Sequence, residues 1–202
     1  GSLVTIPLRK RLASALVISS DDAVKAKALI RSSDFTIKKV GEFKSEPFLS
    51  EAFLKAVRAN AEFSASSLGS VLHALVPKAI LEAVSVVNLK KSVTVSGTVF
   101  DRLALQSDND ERFANYRSLI REEFARKHSV FFCVPTAEDV KFFVAELSKG
   151  IENYTHGLYG SLPKKKLQAI WKNIATEEHQ ILIVATGMFF SLCREDVGVI
   201  II

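Results

Sequence analysis

With 202 residues, 48% of them hydrophobic, the chain has apolar material for one large domain or two small ones, which excludes wholesale disorder. No apolar run reaches the roughly 18–20 residues that cross a bilayer, and two cysteines 60 positions apart, Cys133 and Cys193, without any CxxC pair argue against a zinc site. The net charge of +5 is uneven: residues 1–86 carry 12 Lys and Arg against 8 Asp and Glu, residues 87–202 carry 15 against 14, and the basic bias points to an acidic partner such as nucleic acid.

The first residues, GSLVTIPLRKR, put their charges after a short apolar run, the reverse of a secretory signal. Cys133, inside an apolar run, reads as a buried reduced thiol, and a cytoplasmic location is expected. Leu3-Val4-Thr5-Ile6-Pro7-Leu8 alternates as a strand; the basic Arg9-Lys10-Arg11 intervenes, and Ala15-Leu16-Val17-Ile18-Ser19 resumes an extended run. Asp21 to Arg31 reads equally as a short helix or a loop. Phe35 to Val40 alternates as a further strand. From Ser50 to Arg58, Phe53, Leu54 and Val57 recur at helical spacing behind a Ser-Glu start. Ser67 to Leu75 predicts another helix, closed by Pro77.

Val86 to Val99 is polar and β-branched and reads as a connector. Beyond it the pattern becomes strand, helix, strand, helix. Val130 to Val134 is a strand ended by Pro135, and Thr136 caps a helix from Ala137 to about Lys149 with Val140, Phe143, Val144 and Leu147 on one face. Asn153 to Leu158 predicts a short strand. Pro163 opens a helix with Leu167, Ile170, Trp171 and Ile174 inward. Ile181 to Ala185 and Val197 to Ile202 are fully apolar strands. Such runs alternating with helices predict an α/β fold with a parallel sheet covered on both faces. The chain ends inside its last strand, so a fragment of a longer protein is expected.

Several segments occur together in an order that resembles the primosomal protein N′ family, the PriA-type replication-restart DNA helicases. VTIPLRKRLASALVIS, followed by FLSEAFLKAVRANAEFSASSLGSVLHALVPKAI, is similar to that family's amino-terminal domain, which binds the 3′ end of a nascent strand at a fork. From Leu103 the chain looks like the first RecA-like lobe of a superfamily 2 helicase. SVFFCVPTAEDV resembles the strand and loop after the phosphate-loop helix; THGLYGSLPKKKLQAIW and ILIVATGMFFSLCREDVGVIII are similar to the segments that lead to the DExH box, which would begin after Ile202. The resemblance implies three parts: a small mixed β/α 3′ DNA-binding domain over residues 1–86, a linker over 87–97, and a partial RecA-like (P-loop NTPase) helicase lobe over 98–202 that ends before the DExH box.

Aligned on Tyr116, the family's TGSGKT phosphate loop falls on Asp108-Asn109-Asp110-Glu111-Arg112-Phe113. A phosphate loop needs glycines so that backbone N–H groups wrap the phosphates, a lysine, and a hydroxyl for magnesium. Arg112 keeps a charge without the lysine's geometry, and Phe113 cannot bind magnesium. Asp108, Asp110 and Glu111 repel a triphosphate: at about 4 Å and an effective dielectric near 20, each like-charge contact costs about 4 kcal/mol. Thr186-Gly187 also stand where the family has an arginine. The resemblance therefore implies a DNA-binding protein with a degenerate phosphate loop, no ATPase activity and no cofactor. Its expected partners are forked or 3′-ended DNA, replication-restart proteins or single-strand-binding protein, and no membrane.

The DNA-binding residues expected are Arg9, Lys10 and Arg11, which read as a solvated turn or as phosphate contacts, extended by Lys38, Lys39 and Lys44. Lys164-Lys165-Lys166 reads as a solvated helix start or a DNA backbone contact. His73 is expected to pack partly buried, His156 to make a structural hydrogen bond, and Trp171 to lie in the core; no catalytic residue and no metal ligand are expected. Two other readings compete with a DNA-binding scaffold. One is an ATP-dependent 3′–5′ helicase with an unusual nucleotide site built on Arg112, and the other is a pure protein-interaction module.

Overall fold

A two-residue turn at Arg9-Lys10 folds the amino-terminal stretch back on itself, joining β1 (Leu3–Leu8) to β2 (Arg11–Leu16) in antiparallel register. The structure is a computed structural model that describes residues 1–22, 24–32, 34, 37–84, 101–192 and 194–202. The chain divides into two units, Gly1–Val71 with Leu81–Leu89 and Leu72–Ile80 with Lys90–Ile202.

In the first unit, the segment around Gly41–Lys44 runs along β1. Thr5 N–H donates to Glu42 O at 2.8 Å, Gly41 N–H to Thr5 O at 2.7 Å, and Val4 bridges Phe43 in antiparallel sense. The strand expected over Phe35–Val40 is therefore displaced: Ile37–Val40 carry no regular structure, Phe35 and Thr36 lie outside the described residues, and the pairing falls a few residues later. Gly41 explains the choice, since a Cβ there would sit 3.0 Å from Thr5 O. Lys27–Arg31 forms α1, which settles the Asp21–Arg31 ambiguity as a short helix. α2 (Glu51–Phe63) begins at Ser50, whose side chain accepts from Phe53 N–H, and it buries Val57 and Ala61 one turn apart. α3 (Leu68–Leu75) forms as the spacing predicts, and α4 (Lys78–Val84) follows Pro77; each helix is divided between the two units. His73 is exposed rather than partly buried, because it falls on the face of α3 opposite buried Val71.

The second unit holds a four-stranded, all-parallel sheet in the order β4-β5-β3-β6, from β3 (Ser129–Val134), β4 (Thr155–Leu158), β5 (Leu182–Thr186) and β6 (Val197–Ile201). α5 (Asn109–Ala125), α6 (Ala137–Leu147) and α7 (Lys164–Thr176) complete it. Ile120 of α5, Val130, Phe132 and Val134 of β3, and Val140 and Leu147 of α6 form one buried cluster. Phe131, pointing the other way along β3, stacks on Phe190 with ring centroids 5.4 Å apart. Gly157 admits α6 onto β4, since a Cβ there would meet Val140 and Val144 at 3.2 Å. Trp171 and Ile174 are buried, as their spacing predicts. β6 departs from the fully buried strand expected: among the described residues it pairs with β3 alone, and Ile200 is 55% exposed. The connector expected over Val86–Val99 falls on residues 85–100, outside the described residues; Asp101–Ser107 carry neither helix nor strand.

The amino edge of this sheet is tied by charge. Arg194, nearly buried, donates Nε to Asp196 Oδ1 at 2.8 Å and Nη2 to Asp196 Oδ2 at 2.6 Å. It also donates to the carbonyls of Ile174, Glu177 and His179 beyond the last turn of α7 or within it. Asp196 in turn accepts from Ser129 Oγ at 2.6 Å, and Ser129 Oγ accepts from Ile181 N–H at 3.0 Å. One guanidinium thereby satisfies three carbonyls and a carboxylate, joining α7, β3, β5 and the approach to β6.

Candidate nucleic-acid interface

The pairing of Leu8 with Arg11 leaves Arg9 and Lys10 as a two-residue hairpin loop. Such loops take a positive φ at their first central residue to match strand twist, and glycine or asparagine is the usual occupant. Here it is Arg9, at φ 54°, a conformation that costs a side chain about 1 kcal/mol. Arg9, Lys10 and Arg11 are all exposed, and the first 20 residues contain no Asp or Glu to neutralise them. Arg9→Gly is expected to raise hairpin stability by about 0.5 kcal/mol while lowering affinity for an anionic partner. A thermal melt and a binding titration on the same variant should therefore move in opposite directions; parallel losses would show that the turn conformation, not the charge, is what Arg9 supplies.

Further cations gather on the same unit. Lys44 Nζ donates to Ser14 Oγ of β2 at 2.9 Å. Because the 41–44 segment runs antiparallel to β1, the residues upstream of Gly41, Lys38 and Lys39 among them, lead toward the hairpin turn; both are exposed. A cleft of about 620 Å³ lies between the end of β2 and α2, lined by Ser19, Ser20, Glu51, Lys55 and Arg58 among others. Arg58 Nη2 donates to Ile18 O at 2.8 Å, which fixes this side of the cleft. Lys55 and Arg58 are three apart on α2 and so share a face. Their spacing was readable in the sequence; their meeting with Ile18 and Ser19 across 40 positions was not.

The expected phosphate-loop position has a different construction. Asp108 is the N-cap of α5, its Oδ1 accepting from Glu111 N–H at 2.9 Å, and Asp110 and Glu111 fill the first turn, where the helix dipole favours negative charge. The Arg112 side chain donates to Asn109 Oδ1. Phe113 is part of an aromatic cluster: it stacks on Phe143 at 5.5 Å and meets Phe142 and Tyr116 edge-on at 5.8 and 6.2 Å. Asp108, Asn109, Asp110, Glu111, Arg112 and Phe113 thus form a capped, acidic helix start anchored in the core.

The carboxyl ends of parallel strands are where such sheets hold ligands. Here that edge carries half-buried Cys133, whose thiol pKa is raised by burial, and Thr136, which forms a capping box with Asp139. Lys141 lies over the Tyr159 ring, 5.5 Å from its centroid. The side-chain hydroxyl of Thr186, beside Gly187, is buried with no hydrogen-bond partner among the described residues. Lys164, Lys165 and Lys166 occupy the exposed first turn of α7. His156 Nε2 is buried and has no hydrogen-bond partner among the described residues, and desolvation lowers its pKa, opposed by Glu177 and aided by Arg194.

Comparison of the chain with protein families, with curated proteins and with solved structures finds no match.

Proposed function

We propose that this chain binds forked or 3′-ended DNA through its first unit, in the manner of the PriA-type proteins that its segments resemble, and serves as a scaffold in replication restart without acting as a motor. The observation that carries the reading is the uncompensated cation cluster at the hairpin turn, Arg9, Lys10 and Arg11, with Lys38, Lys39 and Lys44 on the adjoining segment. Phosphates are the natural counterpart of exposed cations on a ribbon, and the cleft beside α2 offers Lys55 and Arg58 to a terminal nucleotide. The parallel sheet of the second unit agrees with a RecA-like lobe. Its α5 start argues against a working nucleotide site: Asp108 already occupies a first-turn N–H that a phosphate would take, three carboxylates face any triphosphate, and Arg112 is held by Asn109. The helicase reading is disfavoured for that reason.

The test is fluorescence anisotropy of a fork with a free 3′ end, titrated at two salt concentrations beside the same fork with its 3′ end blocked. Binding that weakens steeply with salt and falls when the end is blocked supports the reading. Binding that is indifferent to salt, or absent from a folded protein, sinks it. ATP binding by the intact protein would restore the motor.

A further inference from the structure

Leu8 and Leu12, on either side of the basic turn, are 59% and 76% exposed. Among the described residues, the hydrogen bonds that tie the hairpin to other segments fall at Thr5, Ser14 or nearer its base, and Leu8 to Leu12 at the tip are all exposed. Cross-strand pairing places Leu12 directly opposite Pro7, and Leu8 opposite Arg11 on the other face of the ribbon. One face of the tip therefore carries exposed Leu12 beside half-buried Pro7, and the leading edge is Arg9-Lys10. Single exposed leucines are commonplace. A leucine so exposed beside a turn of three cations, in a 20-residue stretch without any acid, is not.

Proteins that deform duplex DNA push Pro, Leu, Ile, Met or Phe between base steps while cations beside the wedge hold the phosphates. On the reading of the preceding subsection, that the first unit binds DNA, we propose that the hairpin tip is such a wedge: Leu12, backed by Pro7, enters a base step of the duplex arm of a fork, and Arg9, Lys10 and Arg11 grip the flanking phosphates. The placement of charge favours DNA over a lipid surface. A bilayer-inserting tip leads with its apolar residues, whereas here the leading residues are Arg9 and Lys10 and the leucines are set back, as a groove between two phosphate rows requires.

The experiment places 2-aminopurine at successive steps of the duplex arm and follows its fluorescence as intact protein is added. Wild type is expected to raise the signal several-fold at one or two steps. Leu12→Ala, an exposed position whose loss should leave the circular dichroism unchanged, is expected to abolish the rise and to weaken binding roughly tenfold with the salt slope unaltered. Salt-dependent binding with no rise, or the same rise in Leu12→Ala, overturns the wedge and leaves the DNA-binding reading standing. No binding by wild type overturns both. Binding to phosphatidylserine vesicles that depends on Leu12, with no 2-aminopurine response, overturns the wedge in favour of a membrane contact.

Discussion

Replacing Arg9, Lys10 and Arg11 together by alanine is expected to lower affinity for forked DNA on the order of a hundredfold near 0.1 M salt, and to reduce the slope of log K against log salt by about 2 to 3. Three exposed cations each release roughly one counterion on meeting a phosphate, and the hairpin offers no acid to share them. Stability should hold within about 0.5 kcal/mol, because none of the three is buried. Anisotropy titrations across a salt series decide it. An unchanged slope would mean that the triplet is only a solvated turn, and the interface would have to be sought at Lys55 and Arg58.

Arg194→Ala is expected to cost the second unit about 3 to 5 kcal/mol at neutral pH, the largest effect of any single substitution considered. It strands the carbonyls of Ile174, Glu177 and His179 and leaves Asp196 without its cation. The chain's single tryptophan, Trp171, is buried in this unit and reports its unfolding in urea. The loss should depend on pH. Burial pushes the Asp196 pKa up, but hydrogen bonds from Arg194 and Ser129 and the Arg194 charge more than offset it, so its pKa in the folded protein is lowered. A lowered carboxyl pKa contributes stability that is complete above the unfolded value, about 3.9, and is lost as pH falls through the folded value. The gap between wild type and variant should therefore begin to narrow below about pH 4 by the share that Asp196 contributes, while the share of the three carbonyls persists. The lowered His156 pKa acts in the same direction but earlier: the folded state prefers neutral imidazole, so stability should begin to decline as pH drops past about 6.5 in both proteins. A gap between wild type and variant that persists undiminished at pH 3 would exclude the Arg194–Asp196 pair as its source.

Much of the second unit was legible because its signals are local. Thr136 and Asp139 announce a capping box three residues apart, and Val140, Phe143, Val144 and Leu147 repeat at helical spacing, so α6 follows from its own residues. The strands are apolar runs punctuated by Pro135 and Gly187. What escaped depends on partners far away in sequence. The segment that pairs with β1 is chosen by Gly41 against Thr5, not by the better alternation upstream. α4 is only seven residues long and gives little periodicity. The exposure of His73 depends on which face of α3 is covered, and that of β6 on its having one strand neighbour among the described residues. In the candidate interface, the cations were readable from composition. The left-handed Arg9, the bare Leu12 beside Pro7 and the cleft against Ile18 were not, because each is a property of pairing and exposure.

Phe113 also limits which side chains this helix start can accept. Installing a phosphate-loop lysine and hydroxyl at positions 112 and 113 would take Phe113 out of its ring cluster with Phe142, Phe143 and Tyr116. Loss of that packing would cost about 2 to 3 kcal/mol before any nucleotide could repay it, and the capping carboxylate of Asp108 would still stand in the way. Folding therefore resists a lysine–hydroxyl pair at this helix start: a sequence that carried it would lose stability before it gained any contact with a phosphate.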